Sequence, residues 1–345
     1  MRKWSEAFQV ASVYVGTIVG AGFATGREIV EFFTRFGFYG TAAIFLAGVL
    51  FIVLGSKIML VAIDIRAKSF EQLNEYLFGR RLALVMNIFL MLMLTGVCAV
   101  MLSGAEALFT EQLRLPQRTG LVFTVILTLI VMAAGVKGLF AVNTFVVPMM
   151  VVFNFLVMLL VMNTGSRVFA PVVSSGWEEG GKAVLSAFSY AAFNLALAQA
   201  VLVPMAAEIK DRSAVKRGGV IGGLLLTVIL SSSHISLGTL SDPASFDIPM
   251  AVIVEGTAGT LYFLYLLIIY GEIFTSVIGN LYGLERQIRS YLPIHSLWIY
   301  ICLLSVVYVI SLVKYGTLLE ILYPLFGYIS IGFLFLLLIK PDKAR

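Results

Sequence analysis

Long apolar runs constrain this chain more tightly than any motif in it. A helix needs about 20 apolar residues to cross the hydrocarbon core of a bilayer. Ten stretches meet or approach that length, at 7–34, 40–63, 82–109, 118–136, 142–163, 182–207, 217–240, 257–283, 296–313 and 317–339. Charged residues make up 12% of the chain and hydrophobic residues 60%, with a mean hydropathy of +1.00. Soluble domains carry roughly a quarter charged residues, so this chain cannot cover a water-facing surface. The sequence predicts an all-α integral membrane protein with about ten transmembrane helices.

Lysine and arginine placement sets the direction of those helices, because basic loops resist translocation. With the N-terminus inside, the inner segments hold sixteen of the 24 basic residues and the outer segments six. The inner set includes Arg66, Lys68, Arg80, Arg81, Lys210, Arg212, Lys216 and Arg217. Both termini are therefore expected in the cytoplasm, below a bacterial-type plasma membrane. The run after Trp4 is too long and too glycine-rich for a cleaved signal peptide, and reads as the first span. No basic cluster is interleaved with aromatics, which argues against nucleic acid as a partner.

Two connections look like short amphipathic helices. One reads Ser69-Phe70-Glu71 and ends at Gly79; the other reads Ser245-Phe246-Asp247 and ends at Gly256. Each opens with a serine suited to an N-cap and an acid in the first turn, and each ends at a glycine suited to a C-cap. Four basic residues flank the first, and none lies in 241–256, so the two face opposite sides. A duplicated unit of five spans must invert in the membrane. The expected organisation is a five-plus-five inverted repeat, with units at 1–165 and 166–345. Span one carries Gly16, Gly20, Gly22 and Gly26, enough glycine to break a helix near its middle. Span six, its partner, is expected to break as well, near Ser189, Tyr190 and Asn194.

Other polar residues at membrane depth are functional candidates by default. Arg27 and Glu28 follow the break and are candidates for gating or for attracting a charged solute. Glu106 and Glu208, near the ends of spans three and six, are gating or structural candidates. Thr95 shares a helical face with Asn87 and Ser103. Glu272 could neutralise a cation, carry a proton or pair with Lys57. His234 is expected to pack with a hydrogen bond. There is no Ser-His, His-Glu-x-x-His or paired-aspartate constellation and no nucleotide-binding loop, so no enzyme activity and no resident cofactor are expected.

This arrangement resembles the LeuT-type fold of the amino acid–polyamine–organocation superfamily. Within it, the stretch Val15 to Glu28 resembles bacterial YkvI-like membrane proteins. The resemblance implies a sodium ion held by the Gly16, Val19 and Glu272 backbone carbonyls and the Thr275 and Ser276 hydroxyls. Oxygen ligands suit a hard cation. It further implies a small polar solute between spans one, three, six and eight, near Gly20, Ala21, Gly22, Thr95, Ser189, Tyr190 and Asn194. The expected function is ion-coupled secondary transport of an amino acid or related carboxylate by alternating access. Two alternatives stand beside it: proton coupling, and a ligand-sensing membrane subunit that does not transport.

Overall fold

The computed structural model describes residues 2–164, 177–246, 248–312 and 315–339, and among them every regular element is helical. The first span is three pieces: α1 (Arg2–Ile18), α2 (Ala21–Ala24) and α3 (Arg27–Phe32). Then come α4 (Phe38–Leu50) and α5 (Ser56–Asp64), joined by a π-helical turn at Phe51–Gly55, and the short α6 (Phe70–Phe78). The long helices α7 (Arg80–Ala107), α8 (Thr119–Ala133) and α9 (Val136–Asn163) complete the first half. The second half holds α10 (Trp177–Ile209), α11 (Arg212–Leu237), α12 (Pro249–Ala258), α13 (Tyr262–Tyr291), α14 (Ser296–Ile310) and α15 (Tyr315–Ile339). Among the described residues, six stretches are long and apolar enough to cross a bilayer: Phe38–Asp64, Arg80–Thr110, Lys137–Asn163, Glu178–Ile209, Arg212–Leu237 and Pro249–Tyr291. The expected boundary between repeat units, at 165 and 166, lies outside the described residues.

The helices sort into two groups. In one, α1, α4, α5, α10 and α11 pack on each other; in the other, α7, α8, α13 and α14 do. Helix α9 lies against α1, α11 and α13, and α15 against α10 and α7. The broken span sits at the seam, where α1 and α2 both touch α13. Glycine permits the closest of these approaches. A Cβ on Gly16 would lie 1.7 Å from Asn143 Oδ1, so α9 crosses directly over that position of α1.

The break in span one follows its glycines. The helical ladder of α1 ends at Val19 N donating to Val15 O (2.9 Å) and resumes at Ala24 N donating to Gly20 O (2.8 Å). A second interruption falls at Gly26, whose φ of 83° is a left-handed conformation that side chains resist. Span six behaves differently from expectation. Helix α10 runs without interruption from Trp177 to Ile209. Between Gly181 and Ile209 it holds no glycine and is rich in alanine, the best helix former. Its one weak point is Pro204, which removes the amide donor for the Ala200 carbonyl. Helix α13 approaches there so closely that a Cβ on Gly283 would lie 2.7 Å from that oxygen.

The two short connections also differ. Ser69 occupies the N-cap position of α6 and Gly79, at φ 75°, ends it. The serine hydroxyl makes no cap bond; Lys68 N instead donates to Gln72 Oε1 (2.7 Å). In the second connection the helix begins at Pro249, not after Ser245, and its C-cap is Gly259 rather than Gly256. The cause is local. Proline disfavours helical backbone in the residue before it, and its fixed φ suits the first helical position. Ile248 accordingly sits at φ −128°, ψ 72°. Asp247 lies outside the described residues. Met250 N donates to Thr25 O (3.1 Å), tying α12 to the broken span just before α13 starts. At the far end of α13, Gln287 Nε2 donates to Glu71 Oε2 of α6 (2.9 Å). Thirty helical residues span about 45 Å, so α6 and α12 lie at opposite ends of the molecule.

Candidate functional site

A helix end leaves its last four carbonyls without intrahelical donors. Here those belong to Gly16, Thr17, Ile18 and Val19, in the interior rather than at a surface. The Ser276 hydroxyl of α13 donates to Val19 O (2.8 Å), and Thr275 Oγ1, one residue earlier, donates to Glu272 O (2.9 Å). Both hydroxyls are buried. A Cβ on Gly20 would lie 3.2 Å from Ser276 Oγ and 3.4 Å from Met101 Sδ, so α7 and α13 both press on the break. The Ser276 hydroxyl thus meets a carbonyl at which the backbone ladder is interrupted, and the Thr275 hydroxyl and Glu272 carbonyl lie one and four residues before it on α13.

Helix α9 supplies polar atoms that the sequence reading missed. Asn143 is buried, donates to Leu139 O (2.9 Å), and turns its Oδ1 onto Gly16. That oxygen, Thr144 Oγ1 and Glu272 Oε2 are buried without a hydrogen-bond partner among the described residues. An available signal was the adjacent polar pair Asn143-Thr144 near the start of a mostly apolar span. A cavity of about 510 Å³ lies beside α1 and α9, lined by Gln9, Lys137, Phe140, Ala141, Thr144 and Phe145. It reaches to within one residue of Asn143 on the N-terminal side of the break.

Beyond the break lies a second polar cluster. Glu28 on α3 is 6% exposed, and the Tyr190 and Asn194 side chains of α10 lie near its carboxyl. Phe32, Phe33 and Phe51 pack their rings around Tyr190 at 5.1, 4.9 and 5.9 Å. Tyr190 and Asn194 therefore do meet span one, though from an unbroken helix. Ser189 does not, because its hydroxyl lies 3.2 Å from where a Cβ on Gly327 of α15 would be. Thr95 bonds back to Met91 O (2.8 Å) within α7. The side chain of Ala21 lies outside the described residues.

The remaining charged candidates make contacts between elements. Arg27 donates to the Ala244 and Phe246 carbonyls (2.5 and 2.9 Å), fastening α3 to the connection before α12. Glu106 accepts from the Arg118 and Leu121 amides, so α7 caps the N-terminus of α8. Glu208 forms an ion pair with Arg286, joining the ends of α10 and α13. His234 is fully buried, its two ring nitrogens each 3.1 Å from a threonine hydroxyl, Thr34 and Thr41. Lys57 is on α5, which packs on α10 and α11, and Glu272 has no ion pair among the described residues.

An all-helical, multi-pass chain with a helix broken at the seam of two helix groups has the fold of membrane transporters. The manganese transporter of Eremococcus coleocola, solved with an aromatic bis-isothiourea compound, matches 97% of this chain and 76% of its own with a TM-score of 0.65. MhsT in complex with L-phenylalanine matches 95% of this chain and 79% of its own (TM-score 0.67). Mhp1, a nucleobase-cation-symport-1 family transporter, matches 96% and 74% (TM-score 0.52). Identities are 13%, 18% and 12%, so the likeness is one of fold. No family model matches the chain. The uncharacterized membrane protein YkvI of Bacillus subtilis (strain 168) is 48% identical over 343 residues, 99% of this chain and 97% of the relative. The chain belongs to the YkvI family. YyaD of the same organism is 23% identical over 343 residues.

Proposed function

We propose that this protein is an ion-coupled secondary transporter of a small polar solute, with sodium as the coupling ion and an amino acid or related compound as solute. The observation that carries this reading is the contact of the broken span with α13, where the Ser276 hydroxyl meets the Val19 carbonyl beside Thr275 and Glu272 O. Sodium would be bound by those four oxygens together with the Gly16 carbonyl, the same hard-oxygen chemistry that holds other hard cations. Asn143, pressed on Gly16, would offer its Oδ1 as a sixth oxygen. The solute would lie at the break, near Gly20 to Ala24. The group of α1, α4, α5, α10 and α11 would rock against that of α7, α8, α13 and α14 to alternate access.

The finer architecture belongs to the same proposal: ten spans, an inverted repeat of residues 1–165 and 166–345, and both termini in the cytoplasm. The opposite placement of α6 and α12 supports inversion, and the excess of inner basic residues supports the orientation.

The test is flux. The purified protein is reconstituted in liposomes and supplied with a mixture of labelled amino acids under an inward sodium gradient, with a potassium gradient as control. Sodium-dependent accumulation that collapses with a sodium ionophore is expected. Saturable binding with no net flux would discard transport and leave the sensor reading; accumulation driven by a pH gradient in potassium would discard sodium in favour of protons.

A further inference from the structure

Glu272 is the polar group of this site that the sodium reading does not use, since only its backbone carbonyl is assigned there. Its side chain can be placed from its neighbours. Tyr265, Glu272, Ser276 and Gly279 recur at seven, four and three residues, which puts them on one face of α13. The Tyr265 hydroxyl donates to Ala24 O (3.3 Å), Ser276 donates to Val19 O (2.8 Å), and a Cβ on Gly279 would lie 3.8 Å from Thr17 Oγ1. This face therefore runs along the broken span from Thr17 to Ala24. Glu272, between Tyr265 and Ser276, looks onto the interval from Val19 to Ala24. Long side chains on a helix lean toward its N-terminus, which carries the carboxyl toward Tyr265 and away from the hydroxyl pair. Tyr265 is within electrostatic reach of it.

The surroundings are apolar and aromatic. Phe153 stacks on Tyr265 at 5.8 Å, and Met101 lies against Gly20. Glu272 is 2% exposed, its Oε2 has no hydrogen-bond partner, and no lysine or arginine pairs with it among the described residues. A carboxylate at such depth is costly without a counter-charge. Among the described residues no basic side chain is paired at this point, so none is placed there to receive an anion. A protonated amine satisfies the carboxylate through charge-assisted hydrogen bonds and offers a cation to the Tyr265 ring.

We propose that the solute carries a protonated amine and that Glu272 of α13 receives it, so the ligands of this site are small organic amines or amino compounds with an apolar body, and simple carboxylates are not. This rests on the reading of the break as the solute site. It also narrows the expectation of an amino acid or related carboxylate: the nitrogen, not the carboxyl group, is the required part.

The experiment uses the purified full-length protein in saturating sodium and follows its melting temperature. Probes are matched triples that share one side chain: leucine with 3-methylbutylamine and 4-methylpentanoate, phenylalanine with 2-phenylethylamine and 3-phenylpropanoate, alanine with ethylamine and propionate. Amine-bearing members of at least one triple are expected to raise the melting temperature saturably, and the matched acid and N-acetylated amine are not. Glu272→Gln should weaken that binding by about tenfold or more, with Glu272→Asp in between. Three results overturn the proposal: acids that bind where amines do not, amine binding unchanged in Glu272→Gln, or no amine-bearing probe active at millimolar concentration while sodium still stabilises the wild type. Should Glu272→Gln fail to fold, the triples on the wild-type protein decide by themselves. An amine response without any sodium response would sink the sodium reading and leave the amine assignment standing.

Discussion

Ser276→Ala separates the structural and ion-binding roles of one hydroxyl. The Val19 carbonyl sits at a helix break and receives its hydrogen bond from Ser276 (2.8 Å), a residue only 4% exposed. Removing the donor leaves a buried acceptor unpaired, which costs about 1–3 kcal/mol in any salt. If sodium binds there, wild type at 100 times its dissociation constant gains roughly 2.7 kcal/mol. A variant tenfold weaker for sodium, at the same concentration, gains only about 1.4 kcal/mol. Stability changes convert to melting temperature at roughly 2 °C per kcal/mol for a chain of this size. The expected pattern is a fall of about 2–6 °C for Ser276→Ala in potassium, and a sodium increment cut from about 5 °C to about 3 °C. Thr275→Ala should lower the sodium increment as much while costing less in potassium, because its hydroxyl bonds within its own helix. The assay is thermal unfolding in sodium and potassium at equal ionic strength. A sodium increment that survives both substitutions intact would refute the assignment, as would equal stabilisation by potassium.

Other substitutions probe the frame around the site. Gly16→Ala places a Cβ 1.7 Å from Asn143 Oδ1; a loss of about 1–3 kcal/mol is expected, partly restored in Gly16→Ala/Asn143→Ala, and no rescue would mean the clash lies elsewhere. Glu106→Ala removes the acceptor for two amides at the start of α8. It should cost about 1 kcal/mol and leave the sodium increment unchanged, whereas a changed increment would return Glu106 to a gating role. His234→Ala strands the buried Thr34 hydroxyl and the half-buried Thr41 hydroxyl and should lower stability by about 2 kcal/mol, measured by the same melt; an unchanged melting temperature would mean water replaces the ring.

Membrane insertion, helical class and the break in span one could all be read from composition and from glycine spacing, because each depends on local energetics. A run of apolar residues has only one favourable solvent, and four glycines in eleven residues weaken a ladder wherever it lies. The same reading failed where tertiary packing decides. Span six was expected to break by analogy with its partner, but an alanine-rich run holds its helix, and Tyr190 and Asn194 approach Glu28 from an intact α10. Ser189, one residue from Tyr190, turns away toward α15, since neighbours on a helix point about 100° apart. Glu106, open from the chain to a gating or a structural reading, accepts amides at the start of α8, a contact that only the fold shows.

The hydroxyl pair at 275 and 276 was visible in the chain only by resemblance, and its juxtaposition with Val19 required the fold. Asn143 was not singled out, because an amide in a mostly apolar span does not say which helix it meets. What local sequence settled is the solvent, the helices and where one of them fails. Which carbonyl meets which hydroxyl, and that Glu272 Oε2 is buried with no hydrogen-bond partner among the described residues, depends on contacts between residues hundreds of positions apart. Such contacts arise from close packing of helix faces, and no local pattern encodes them.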